Sequence, residues 1–137
     1  MQRSSSSNKG FSLVELIIVI SIMAVLIGIL APQFISYIHK SRVASDWANL
    51  KAYYSEIETD YVDNNGTPNP DVPTVDHSPG SDDKYRRREI KFLDGRTVKL
   101  KAGFYAVIFE NGGYQISYYC DKYSDWDKHK TCVLTLG

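Results

Sequence analysis

Glu15 is the residue of this chain whose position most clearly demands a chemical explanation. It stands immediately before an apolar run, 16–38, that contains no charged residue. A carboxylate at the mouth of a membrane-length segment costs several kcal/mol in hydrocarbon, and residues so placed are usually functional and paired with an opposite charge. The other candidates carry less. Asp121, Asp125 and Asp127 fall within one short stretch and are weak calcium candidates. They lack the ligand series, glycine and terminal glutamate of an EF-hand loop, and Lys122, Lys128 and Lys130 lie among them, so a hydrated acidic loop is the simpler reading. His39, His77 and His129 are scattered, with no metal-ligand spacing. No phosphate-cradling glycine loop and no nucleophile elbow is present, so neither catalysis nor a cofactor is expected. Tyr85-Arg86-Arg87-Arg88 is a basic run with one aromatic, which reads as a DNA contact or as a solvated loop. With 16 basic and 16 acidic residues the chain has no net charge, and no nucleic acid is expected as a partner. Asn65-Gly66-Thr67 matches the N-glycosylation pattern, one that is common by chance.

Two cysteines, Cys120 and Cys132, lie close together near the C-terminal end. On a translocated domain they read as one disulfide, with two buried thiols as the alternative. Such a bond would close a short loop and stabilise the domain by about 3 kcal/mol.

These residues have to be positioned by a helix and a sheet. The run 16–38 is long enough to cross about 30 Å of hydrocarbon as a helix. Arg3 and Lys9 before it suit a cytoplasmic flank. A secretory signal would have a shorter apolar core and a small-residue cleavage site after it, for which 28–33 is a poor candidate. A plain membrane anchor fits the length but gives no reason for Glu15. Beyond Pro32 the apolar residues Val43, Trp47, Leu50, Tyr54, Ile57 and Tyr61 recur in alternating steps of four and three. They form one helix face, with Arg42, Asp46, Asn49, Lys51, Glu56 and Asp60 between them. The helix is predicted to run from Phe11 to about Val62, roughly 78 Å at the usual rise, and its second half is predicted to lay that stripe on a sheet. Asp63-Asn64-Asn65-Gly66-Thr67-Pro68 ends it. A long surface loop to about residue 88 follows, with functional or mobile character typical of such lengths. Two hairpins come next, 89–101 around Asp94-Gly95 with a type I′ turn and 103–120 around Asn111-Gly112-Gly113. Residues 131–136 are predicted to form a last strand. The fold class is α+β, a long N-terminal helix packed on an antiparallel sheet of four to five strands.

The segment Lys9-Gly10-Phe11-Ser12-Leu13-Val14-Glu15, with the apolar run behind it, closely resembles the class III signal of type IV pilins: a short basic leader ending in Gly, then Phe, then Glu as the fifth residue after the cut. The resemblance is detailed over 9–42 and architectural beyond. It implies that a prepilin peptidase cuts between Gly10 and Phe11, that the new Phe11 amine is N-methylated, and that this amine pairs with Glu15 of a neighbouring subunit in a filament core. Opposite charges attract strongly in low dielectric and each alone is penalised, so the pair would set register. The resemblance also implies a helix kink at Gly28 and Pro32, with a tolerated membrane-helix proline as the alternative, and an exposed region bounded by Cys120 and Cys132. The domains implied are a leader over 1–10, a transmembrane and filament-core helix over 11–38, and a pilin head over 39–137, with helix 39–62, loop 63–88 and sheet 89–137.

The function so implied is that of a structural subunit of a type IV pilus serving adhesion or motility. It would be a single-pass membrane protein as precursor, lodged in lipid, and extracellular once assembled. Its partners would be further copies in a helical homopolymer, the prepilin peptidase and the assembly machinery in the membrane. A pseudopilin of type II secretion, some of which bind calcium in this part of the fold, shares the motif, as does a minor or competence pilin. A membrane-anchored enzyme would need a pocket of convergent ionisable groups that the sequence does not offer. The ten tyrosines raise electron conduction as an idea, but Tyr105, Tyr114, Tyr118 and Tyr119 are explained by the strand pattern.

Overall fold

In the computed structural model, which describes residues 10, 12–75, 86–120 and 132–137, one helix, α1, runs over Leu13–Asp63. Behind it come strands β1 (Glu89–Lys91), β2 (Thr97–Lys99), β3 (Phe104–Glu110), β4 (Gly113–Tyr119) and β5 (Val133–Leu136). The chain divides into two units, Met1–Ile38 and His39–Gly137.

In the first unit the large apolar side chains from Leu13 to Tyr37 are all exposed, between 46% and 74%. Their sequence is rich in Ile and Val, poor helix formers in water. A helix nonetheless satisfies its own backbone, as a non-aqueous surrounding requires. By length and composition alone this helix can cross a membrane. Ser21 is a polar interruption that is satisfied locally, its hydroxyl donating to the Ile17 carbonyl at 2.7 Å. The helix continues through Gly28 and Pro32. Pro32 has no N–H, so the carbonyl one turn back, that of Gly28, loses its helical partner.

In the second unit the line of the helix turned inward is Asp46, Leu50, Tyr53 and Ile57. The predicted stripe lies along one flank of it: Leu50 and Ile57 are fully buried, while Val43, Trp47, Tyr54 and Tyr61 are half-buried against the same core. An inward face spans about 100° or more, so a single line of residues underestimates it. The structure adds Tyr53, next to Tyr54 of the stripe, and turns Asp46 inward from the expected polar side. Both are only 1% exposed.

The strands form two antiparallel sheets rather than one, β1-β2 and β3-β4-β5. Arg87 joins them, exchanging backbone hydrogen bonds with Tyr105 of β3 at 2.9 and 3.1 Å. Facing pairs Tyr105↔Tyr118, Val107↔Ile116 and Phe109↔Tyr114 alternate along β3 and β4 and pack on the helix. The other face of β3 is also covered: Val75, Ala106 and Ile108 form a second small cluster. Residues 63–88 are therefore not surface throughout. Val72 and Val75 are buried, and Val75 N–H donates to the Val107 carbonyl at 2.8 Å, which covers part of an otherwise unpaired strand edge.

Turn chemistry differs between the hairpins. Asn111 (φ 53°) and Gly112 (φ 78°) are both left-handed, which makes the β3–β4 connection the type I′ turn. The expectation of that turn at Asp94-Gly95 is corrected, since only Gly95 has positive φ there. The Gly95 N–H donates to the Phe92 carbonyl and the Phe92 N–H to the Arg96 carbonyl, the pattern of a type I turn followed by a bulge glycine. Asp94 takes the Arg96 backbone N–H at 2.9 Å and its Nε at 2.7 Å. Those hydrogen bonds, backbone first, hold its carboxyl below the usual range. A non-glycine residue is content in that turn because its side chain supplies the closure.

Candidate functional site

Two groups of residues form functional candidates, one in each unit. At the start of α1, Ser12 is the cap. Its carbonyl accepts from Leu16 N–H at 3.1 Å, and its hydroxyl accepts from Glu15 N–H at 3.2 Å. Ser12-Leu13-Val14-Glu15 thus has the spacing of a capping box, with the acid in the first helical turn. A carboxylate there is favoured by the helix dipole, typically by about 0.3–1 kcal/mol. This gives Glu15 a local role at the helix start, and serine three residues before an acid ahead of an apolar run is its signal in the sequence. Gly10 is exposed, with open space around its Cα. Phe11, the expected methylation and cleavage partner, lies outside the described residues, as do Asp121, Asp125, Asp127, His77, His129 and Tyr85. His39 is exposed on α1. Among the described residues no group of three or more His, Cys, Asp or Glu side chains is arranged to hold a metal.

In the second unit the helix presents a series of carboxylates to the sheet and loops. Asp46 is the deepest. Its Oδ1 accepts from Lys101 N–H at 2.7 Å, and its Oδ2 from Ala102 N–H at 2.8 Å and from the Tyr118 hydroxyl at 2.7 Å. Glu56 accepts from Leu93 N–H, and Glu58 from Tyr114 N–H, both at 3.1 Å. Asp60 accepts from the Asn64 and Asn69 amides, and the Tyr114 hydroxyl accepts from Asn69 N–H at 3.0 Å. Buried backbone N–H groups need partners, and here the helix supplies them for segments distant in sequence. Burial, then the bond to Asp46, raises the Tyr118 phenol above its ordinary pKa. Burial, with Glu56 adding, pushes Tyr53 up to about 12, and burial raises Tyr105 too. At neutral pH all three are neutral.

Cys120 and Cys132 are joined in a disulfide. Cys120, fully buried at the end of β4, also donates its N–H to the Cys132 carbonyl just before β5. The bond thus clamps the β4–β5 pair where its ladder begins at Tyr119↔Val133. Next to it, Gly103 has no room for a side chain: an added Cβ would collide with the Tyr119 carbonyl oxygen. Asp46, the 101–103 turn, Tyr118 and the disulfide therefore make one tightly determined corner, roofed by Trp47, whose ring stacks on Tyr118 at 6.2 Å. The turn at Asn65, exposed with φ 54°, is explained by helix termination, since asparagine tolerates that conformation.

Residues 5–31 match a family described as "Prokaryotic N-terminal methylation motif". The chain is also similar to the "Type IV major pilin protein PilA" of Myxococcus xanthus (strain DK1622), with 38% identity over 55 residues. That alignment covers 40% of this chain and 25% of the relative, so the chain matches about a quarter of the length of this curated relative. No solved structure matches the chain significantly.

Proposed function

We propose that this chain, which its methylation motif and its likeness to a major pilin assign to the type IV pilin and pseudopilin family, is a structural subunit of a type IV pilus filament. The observation that carries the reading is the opening of α1: a membrane-length apolar stretch, 13–38, with its large side chains exposed up to Tyr37, that starts two residues after Phe11 and holds Glu15 as its single acid. Apolar surface on that scale has to be buried by something outside the chain, first lipid and then other subunits. In this reading a prepilin peptidase cuts between Gly10 and Phe11, the Phe11 amine is methylated, and Glu15 meets that cationic amine on the neighbouring subunit. Gly28 and Pro32, where the helix has one backbone hydrogen bond fewer, are the position at which it bends or melts during packing. The head, over 39–137, faces outward, stapled by Cys120 and Cys132, and serves adhesion or motility as scaffold and not as catalyst.

Mass spectrometry of filaments sheared from the native cell tests this. The expected result is a chain beginning at N-methylated Phe11 that dominates the preparation. The same terminus at trace abundance would make it a minor pilin, and the same terminus absent from surface filaments would make it a secretion pseudopilin. An uncut chain with no filament association would sink the reading. Glu15→Val is expected to be cut and inserted normally but to yield few filaments.

A further inference from the structure

The head carries a basic cleft that neither the filament nor the carboxylate contacts explain. It encloses about 400 Å³ and is lined by Arg86, Arg87, Arg88 and Lys91, with Asp71 and Glu89 as the opposing charges and Tyr53 and Tyr105 among its other walls. That volume suits a small group such as a phosphate or a sugar acid. Among the described residues the lining holds four cations and two carboxylates. Among the described residues Arg87, Arg88 and Lys91 make no ion pair, and all three are exposed. Their backbones are nevertheless fixed. Arg87 exchanges two hydrogen bonds with Tyr105, and the Arg88 carbonyl takes Leu100 N–H at 2.7 Å, while Lys91 is paired with Thr97. Arg86, half-buried, is stacked over the Phe104 ring at 4.7 Å. Cations rooted in hydrogen-bonded backbone lose less freedom on binding than cations on an unanchored segment. Tyr53 adds a neutral donor: its side chain is 1% exposed, lines the cleft, and makes no hydrogen bond among the described residues.

We propose that this cleft binds the oxyanion of an acidic polymer, a phosphate or a carboxylate, through Arg87, Arg88 and Lys91 with the Tyr53 hydroxyl as the orienting donor. Guanidinium groups match both oxyanions through paired N–H donors. Phosphate and carboxylate polymers present the same contact, and the two sources are separated by experiment. The proposal goes beyond the filament reading and stands whether or not the chain assembles. Arg87, Tyr53 and Tyr105 line the same cleft, and the Arg87 charge opposes the rise that burial causes at both phenols.

The test uses the full chain in neutral detergent and measures binding of polyphosphate, polygalacturonate and uncharged dextran by thermophoresis at low and high salt. At least one polyanion should bind, weakening as salt rises, with dextran inert and inorganic phosphate competing. The better polymer identifies the source. Arg87→Ala/Arg88→Ala/Lys91→Ala should lose about tenfold or more in affinity with a shallower salt slope, while Lys99→Ala, an exposed lysine outside the cleft, should not. Tyr53→Phe should weaken binding several-fold at unchanged slope, because the lost group is neutral. Failure of both polymers to bind at low salt, or equal loss in Lys99→Ala and the triple variant, or an unaltered Tyr53→Phe, would overturn a built site. Unchanged thermal unfolding of each variant guards against misfolding.

Discussion

The two halves of α1 treat polar and apolar groups in opposite ways. Over Leu13–Tyr37 the apolar side chains are exposed, and the acid at the start, Glu15, has its backbone N–H tied only to Ser12 within its own turn. From Val43 to Tyr61 the apolar stripe is packed on the core, and the acids reach across to segments tens of residues away in sequence, Asp46 to Lys101 and Ala102 and Glu58 to Tyr114 of β4. One continuous helix thus contains a segment whose burial must come from other molecules and a segment whose packing is completed within the chain. The difference shows that hydrophobicity alone does not mark a core. The head is specified as much by where its carboxylates end up as by its leucines and tyrosines.

The strongest way to break that contrast is at Asp46. Asp46→Ala leaves two backbone N–H groups and one tyrosine hydroxyl without a partner inside the head. Each orphaned donor costs about 1–3 kcal/mol, so a loss of about 4 kcal/mol is expected. In a domain of this size that lowers the melting temperature by upwards of roughly 15 °C. Asp46→Asn, which keeps an acceptor, should fall between. Near-ultraviolet circular dichroism during heating reads both, and a melting temperature that does not move would show that the helix–sheet corner is held by packing alone.

The disulfide is next. Replacing Cys120 and Cys132 together by serine should destabilise the head by about 3 kcal/mol, the expectation for closing a loop with a sequence separation of 12. The loss should be confined to the head: proteolysis should open β5 first, while helicity of the apolar segment in detergent stays unchanged. Simultaneous loss of both would show that the two halves of the helix are less independent than their packing suggests.

A third effect exists only in alkaline solution. Tyr53 titrates at about 12 when folded against an ordinary value near 10, so the fold favours its protonated form. That contribution is complete below pH 10 and disappears as the pH rises from about 10 to 12. Tyr105 and Tyr118 are raised as well and extend the loss upward. Ultraviolet titration should show a delayed class of phenols that ionise together with unfolding. Early ionisation of all ten tyrosines in the folded state would contradict the burial.

The architecture was legible because its signals are periodic. Steps of four and three marked the helix face, alternation marked Tyr114, Ile116 and Tyr118, and Asn-Gly marked a hairpin. What escaped was polar and long-range. Asp46 sits at a helical spacing that places it on the inward line with Leu50 and Tyr53, but a charged residue is read as outward unless its partners are known. Those partners are backbone groups at 101 and 102, which have no sequence signature. The type I′ assignment at Asp94-Gly95 failed for a related reason: Asp-Gly is compatible with two turns, and the Asp94 side chain, by holding Arg96, goes with the one that leaves Asp94 out of the left-handed region. The covering of β3 by Val75 was hidden inside a stretch whose composition is that of a loop.

The smallest expected effect is the one that best separates the two explanations of Glu15. Ser12→Ala removes the hydroxyl that takes the Glu15 N–H and should cost about 1 kcal/mol, felt only as fraying of the first turn. Faster amide exchange at Glu15 and Leu16 in detergent would register it. Glu15→Gln leaves the Ser12 hydrogen bond in place, because that bond is made by the backbone, and removes the charge. If the acid serves only to favour the helix start, both variants should fray slightly and both should assemble. If the acid meets a cationic amine on another subunit, Ser12→Ala should still form filaments while Glu15→Gln does not. A first turn that is loosened without loss of assembly, set beside one that is intact but fails to assemble, would assign Glu15 to the contact between chains.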